Sequence, residues 1–228
     1  MRRLKIGISR CLLGDKVRYD GAAKYSSLCS NNLASEFELV SLCPEVEAGA
    51  SVPRPPVELI QLGNGVRAIG RDDRSIDVTT AIVSYAQKKL LELGDLAGFI
   101  VASRSPSCGF DSVPLKGVGG ELINLNSSGL FTRELTKRFP SLPIIEDVSL
   151  KDESLFLIYQ LRVISYYLLI NNCCSELKLI YGMLQLDGLA LTPGSVEDRA
   201  LLLHDSFKQL DLKQLDLLLG TLRGIRNE

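Results

Sequence analysis

Leu96-Ala97-Gly98-Phe99-Ile100-Val101-Ala102 contains no side chain able to donate or accept a hydrogen bond. A run of that kind reads as a strand covered on both faces, the position of a central strand in a parallel sheet. The chain around it alternates as such a sheet requires. Leu4–Ser9, Glu38–Leu42 and Leu142–Ile145 read as further strands, and Ser27–Phe37, Asp77–Leu93 and Leu130–Phe139 as helices. Thr79 or Thr80 is placed to cap the second helix, and Gly94 to stop it. The alternation predicts an α/β fold, a Rossmann-like, doubly wound, mainly parallel sheet.

Three segments interrupt the pattern. Pro53-Arg54-Pro55-Pro56 cannot be helical and forms a stiff extended loop. Val57–Gly70 has two β-rich runs around Gly63-Asn64-Gly65, the sequence of a hairpin insertion. Gly117, Gly119 and Gly120 mark a glycine-rich loop, too short and misplaced for a dinucleotide fingerprint.

From about Leu150 leucine becomes dense, and three or four helices are expected. Pro193-Gly194-Ser195 breaks them, with Ser195 and Asp198 as a helix start. The chain therefore divides into an α/β domain over 1–148 and an all-helical region over 149–228. The helical region is a candidate for self-association or docking. Its most apolar stretch, Leu155–Ile170, is interrupted by Gln160 and Arg162 and falls short of the roughly 20 residues of a bilayer span. It reads as a buried helix. The basic amino terminus leads into a strand and not a secretory apolar segment, so a cytoplasmic protein without a membrane partner is expected. The formal net charge of −1 gives no electrostatic reason for a nucleic-acid partner.

Six cysteines spread this widely do not form a disulfide scaffold; they are core residues, catalytic thiols or metal ligands. Cys11, Cys43 and Cys108 each fall at or just past the carboxyl end of an expected strand. Ligands bind in α/β sheets at those ends, so three distant thiols can meet at one place. Cys29, Cys173 and Cys174 read as bystanders. The single histidine, His204, lies in the helical region. That removes Cys-His and Ser-His catalysis from the α/β part. Three thiolates can hold a cubane cluster and leave one iron free, or hold zinc with a fourth ligand from water or a carboxylate. A lone catalytic cysteine is a further option. Spacing does not separate iron from zinc.

Five motifs occur in order: Ile8-Ser9-Arg10-Cys11-Leu12-Leu13-Gly14, Val17-Arg18-Tyr19-Asp20-Gly21, Cys43-Pro44-Glu45, Pro53-Arg54-Pro55-Pro56-Val57-Glu58 and Ser105-Pro106-Ser107-Cys108-Gly109. Together they resemble the thiouracil desulfurase (TudS) family from residue 4 to about Val148. The resemblance implies a 4Fe–4S cluster on Cys11, Cys43 and Cys108. Its open iron takes the sulfur of a thiolated base such as 2-thiouracil, and water replaces that sulfur without net redox change. It further calls for a carboxylate that handles the proton, which Glu45 can be, with Ser105 as a second catalytic group and Ser107 as a hydrogen-bonding residue for the substrate. Arg18 and Asp20 are placed to bind and orient a base or else pair with each other, and Arg54 to bind an anionic group of the substrate or else form a structural ion pair. Two alternatives stand beside it: a cluster-dependent sulfur transferase, and a non-catalytic iron–sulfur or zinc module. The chain departs from the family pattern at Ala48-Gly49-Ala50, Ala102-Ser103-Arg104 and Ser112-Val113-Pro114-Leu115.

Overall fold

The computed structural model describes residues 3–63, 65–186 and 194–227, with side chains through 224. A four-stranded parallel sheet forms its centre, in the order β2-β1-β5-β8. Its strands are β1 (Lys5–Ser9), β2 (Glu38–Leu42), β5 (Leu96–Val101) and β8 (Ile144–Glu146). β1 pairs with β2 on one side and β5 on the other. The winding reverses there, and the crevice of such a fold opens at the carboxyl ends of those strands.

β5 is buried at every position, as its lack of polarity requires. Its pairing with β1 skips from Lys5↔Leu96 to Ile6↔Gly98, so Ala97 is a bulge. Beyond it Phe99 and Val101 join the apolar cluster on one face, while Ile100 and Ala102 join the cluster on the other.

A second sheet has the order β4-β3-β6-β7. The expected hairpin is its β3 (Val57–Leu62) and β4 (Gly65–Gly70), joined where Leu62 pairs with Gly65. Gly63 takes φ 57 in that turn, a conformation glycine adopts without strain. Asn64 lies outside the described residues. β6 (Val113–Lys116) pairs parallel to β3 and antiparallel to β7 (Leu122–Ser127). The glycine-rich segment read from sequence as a loop is the turn between these two strands. They escaped sequence reading because β7 exposes its apolar residues along with its polar ones, so no alternation is visible.

The helix expected over 27–37 is a wide π-type turn, Leu28–Leu33, running into the single α turn α1 (Ala34–Glu36). After the short α2 (Pro44–Glu47) comes α3 (Thr79–Lys89). Its cap differs from expectation. The Asp77 carboxylate accepts from the Thr79 amide, and the Thr79 hydroxyl turns to β4 and accepts from the Ala68 amide. α4 (Leu130–Arg138) then leads to β8.

The helical region comprises α5 (Glu153–Ile170), α6 (Cys174–Met183), α7 (Val196–Phe207) and α8 (Leu212–Asn227). Asp152 caps α5, and Ser195 with Asp198 forms the expected capping box on α7. Pro193 lies outside the described residues. By length and hydropathy α5 would pass as a membrane span. It is instead a core helix, with ten of its residues buried. Tyr159, Val163 and Ile164 pack in one cluster with Ile6, Ile8 and Ile100 of the sheet. The other sheet face is covered by α3, α4 and residues of the second sheet. Arg223 of α8 closes the assembly by donating to Glu36 and to the Gln160 side chain.

Candidate active site

The three strand ends bring the cysteines together. β1 runs into a 3-10 turn, Arg10–Leu13, that holds Cys11, and Gly14 at φ 103 ends it in a left-handed conformation closed to most side chains. The Cys11 carbonyl accepts from the amides of Gly14 and Lys24. Cys43 directly follows β2, as the cap of α2. Its amide donates to Glu47 at 2.8 Å, and Glu47 is itself held by the Tyr85 hydroxyl at 2.5 Å.

Cys108 follows β5 in a loop organised by Ser105. The Ser105 hydroxyl oxygen accepts from the Ser107 amide at 3.3 Å and the Cys108 amide at 3.1 Å. The start of α4 backs directly onto this loop, and a Cβ at Gly129 would lie 2.4 Å from the Ser107 carbonyl carbon. Only glycine fits there.

All three cysteines line one cavity of about 800 Å³, as do Glu45, Ser105, Arg18 and Arg54. The thiols lie within electrostatic reach of one another. Burial first, and then the neighbouring Cys43, pushes the Cys11 thiol up to about 11. Burial raises Cys43 as well, and it raises Cys108 furthest, with Cys43, Glu45 and Cys11 adding to the rise. Such thiols are protonated and poorly nucleophilic at neutral pH, which argues against a lone catalytic cysteine.

Thiols in this state become good ligands when a cationic group displaces their protons. Among the described residues, no three His, Cys, Asp or Glu side chains are grouped closely enough to hold one metal ion. A zinc ion needs its donors about 2 Å away, so three thiols spread around a cavity suit a larger polynuclear group better. The donor set, three buried thiols without histidine, fits an iron–sulfur cluster.

Glu45 is fixed from two sides. Arg54 Nε donates to Oε2 at 2.5 Å, and the Ser107 hydroxyl donates to Oε1 at 2.7 Å. Arg54 also donates to the Val17 and Ser51 carbonyls, so the proline-rich loop serves to present this guanidinium. Ser107 is fully buried and does not form part of the cavity wall; it stands behind Glu45. Arg18 lines the cavity and pairs with Asp20 at 3.4 Å. Asp20 itself caps the turn by accepting from the Ala22 amide.

Sequence reasoning missed one network. Lys24 lines the cavity and donates to Asp147 at 3.0 Å and to the Ser103 hydroxyl at 2.7 Å. Glu146, also in the wall, accepts from the Phe110 amide and the Ser112 hydroxyl. Glu146 and Asp147 sit at the carboxyl end of β8, the same signal that marked the cysteines. Lys24, in an irregular loop, carried no signal. Of the remaining cysteines, Cys29 is buried in the core, while Cys173 and Cys174 belong to the helical region.

Three comparisons bear on this site. The chain is 32% identical over 109 residues to YbbK, an uncharacterised protein of Bacillus subtilis (strain 168), over 45% of this chain and 71% of that one. Its structure resembles that of a [4Fe-4S]-dependent thiouracil desulfidase, TudS, with a TM-score of 0.53 and 29% identity, over 66% of this chain and 95% of that one. The sequence model of the 2-thiouracil desulfurase family matches residues 6–147, a span containing every cysteine of the cavity. The chain belongs to the 2-thiouracil desulfurase family.

Proposed function

We propose that this chain removes sulfur from a thiolated pyrimidine such as 2-thiouracil, with Cys11, Cys43 and Cys108 holding a 4Fe–4S cluster. The observation that carries the reading is the meeting of three thiols from three strand ends with a doubly anchored carboxylate in one cavity. When bound, the cluster supplies an iron without a protein ligand, a Lewis acid for the thione sulfur. The chain's own residues do the rest.

Glu45 takes a proton from the water that replaces sulfur at the ring carbon. Each of its oxygens accepts one hydrogen bond and retains a lone pair for that proton. Arg54 and Ser107 are positioning residues: they keep the carboxylate from rotating out of line. Ser105 spends its oxygen on two amides, and its own proton is left to donate to the pyrimidine. Arg18 closes the rim over the substrate, with Asp20 orienting it. Thiouracil and water thereby become uracil and hydrogen sulfide, with no electron gained or lost.

The test begins with anaerobic purification. A brown protein with broad visible absorption is expected, and 2-thiouracil should yield sulfide and uracil in equal amounts. Glu45→Gln should keep the colour and lose about two to four orders of magnitude in turnover, the range for removing a general base. Full turnover in that variant would remove Glu45 from the mechanism. Cys108→Ala should lose the colour itself. Sulfur passed to an acceptor with no free sulfide would point to a transferase instead.

A further inference from the structure

A second cavity, of about 290 Å³, lies at the opposite end of the parallel sheet. Its wall includes Pro140 and Pro143, which precede the amino end of β8, whereas the cysteines follow carboxyl ends. The two cavities share no lining residue. Arg162, Ser165 and Tyr166 line the second one from α5, at the three- and four-residue spacing of a single helix face. Glu197 and His204 line it from α7.

Three polar side chains of this wall, Arg162, Ser165 and His204, have a polar group without a partner. Among the described residues Arg162 makes no ion pair and no hydrogen bond. Ser165 is 2% exposed, and its hydroxyl has no partner. It does not take even the carbonyl one turn back that a helical serine commonly uses. Nδ1 of His204 is a second polar atom of this wall buried without a partner. Buried polar groups in folded proteins are paired almost without exception. Unpaired groups converging on one cavity therefore point to a ligand as the missing partner.

The chemistry of that ligand follows from the wall. A guanidinium donates only, a serine hydroxyl with no acceptor has its proton to give, and a neutral imidazole gives one more. The ligand must supply acceptor oxygens and negative charge. Glu197 adds a carboxylate at the exposed side, which opposes a doubly charged phosphate more than a singly charged acid. Pro140 and Leu201, both exposed, give the wall accessible apolar surface. We infer that this cavity binds a small monocarboxylate, its carboxylate held by Arg162 and Ser165 and its apolar body packed on Pro140 and Leu201. Arg162, Ser165 and His204 lie on helices outside the matched span of residues 6–147, so the inference does not depend on the desulfuration reading.

The test is calorimetric titration of the full chain with sodium benzoate, and in parallel with inorganic phosphate. Saturable binding of one benzoate per chain is expected, with no comparable heat from phosphate. Arg162→Gln should weaken benzoate at least about tenfold, as loss of a charge-assisted pair does. Ser165→Ala should weaken it by a smaller factor, and Glu197→Gln should bind at least as tightly as the parent. Circular dichroism and thiouracil turnover report whether each variant is folded; if Arg162→Gln is not, Ser165→Ala and Arg162→Lys decide. The inference is overturned if benzoate gives no saturable heat, or if phosphate binds in its place. It fails equally if the Arg162 and Ser165 variants bind like the parent. Loss of binding in Glu197→Gln would show instead that Arg162 and Glu197 act as an internal pair.

Discussion

Ser107 illustrates how much a residue's function depends on which side of its partner it occupies. It donates to Glu45 from behind, outside the cavity wall. Its loss should therefore disturb turnover far more than substrate binding. A hydrogen bond to a charged group is worth about 1.5–3 kcal/mol. Ser107→Ala should accordingly lower kcat by about one to two orders of magnitude while KM stays near its parent value. A change confined to KM would return Ser107 to the substrate-binding set. His204 offers a prediction of a different kind. Burial, followed by the charges of Arg162 and Lys208, lowers its pKa from 6.5 to about 4. The unfolded chain then binds a proton more readily than the folded one, so stability is full above pH 6.5 and declines as the pH falls toward 4. Urea midpoints measured across that window should slope downward, and His204→Gln should flatten the slope. At this scale the cysteines were legible because strand ends are legible. Lys24 was not, because an irregular loop has no periodicity to place a side chain.

Gly98 decides how closely α5 can approach the sheet. A Cβ at this position would lie 2.7 Å from the Val163 side chain and 2.8 Å from the Tyr159 hydroxyl. Overpacking of this kind costs about 1–3 kcal/mol. Gly98→Val should lower the unfolding free energy by that amount, read as a lower urea midpoint, without changing the number of cysteines able to hold a cluster. A parent-like midpoint would show that α5 moves away from β5 at no cost. Among the elements, β5 was legible from composition alone, since only a strand covered on both faces can dispense with polar side chains. The hairpin β3–β4 was legible from its glycine–asparagine turn. β6 and β7 were not. Pro114 sits inside the first, a residue that argues against a strand in sequence, and the second presents Leu122, Ile123 and Leu125 to solvent, so it lacks the two-residue alternation of a half-buried strand. The tail helices followed from leucine density and the Ser195–Asp198 box, but their packing partner did not. Sequence periodicity shows that a helix has an apolar side without showing what covers it.

For the molecule as a whole, the cysteine cavity and the tail helices fall on opposite sides of residue 148. Every described residue that lines the cysteine cavity precedes residue 149, and the family match ends at 147. The apolar core does not divide there. One cluster joins Ile6, Ile8, Ala97 and Ile100 of the sheet to residues of each of the four tail helices among the described residues, including Tyr159, Ile180, Leu203 and Leu219. Removing residues 149–228 would strip that face of the sheet and expose a contiguous apolar surface of the kind soluble monomers avoid. The same face carries the core side of the cysteine turn, since Cys11 and Leu12 belong to this cluster. A chain ending at Val148 is therefore expected to bind a hydrophobic dye, to lose cooperative unfolding in urea, and to fail to hold a cluster. Supplying the helical region as a separate polypeptide should restore cooperativity if burial of that face is all that is missing. Cooperative unfolding of the truncated chain alone, with a cluster bound, would instead show that α3, α4 and the second sheet suffice to fold the cysteine site, and that the tail serves another purpose.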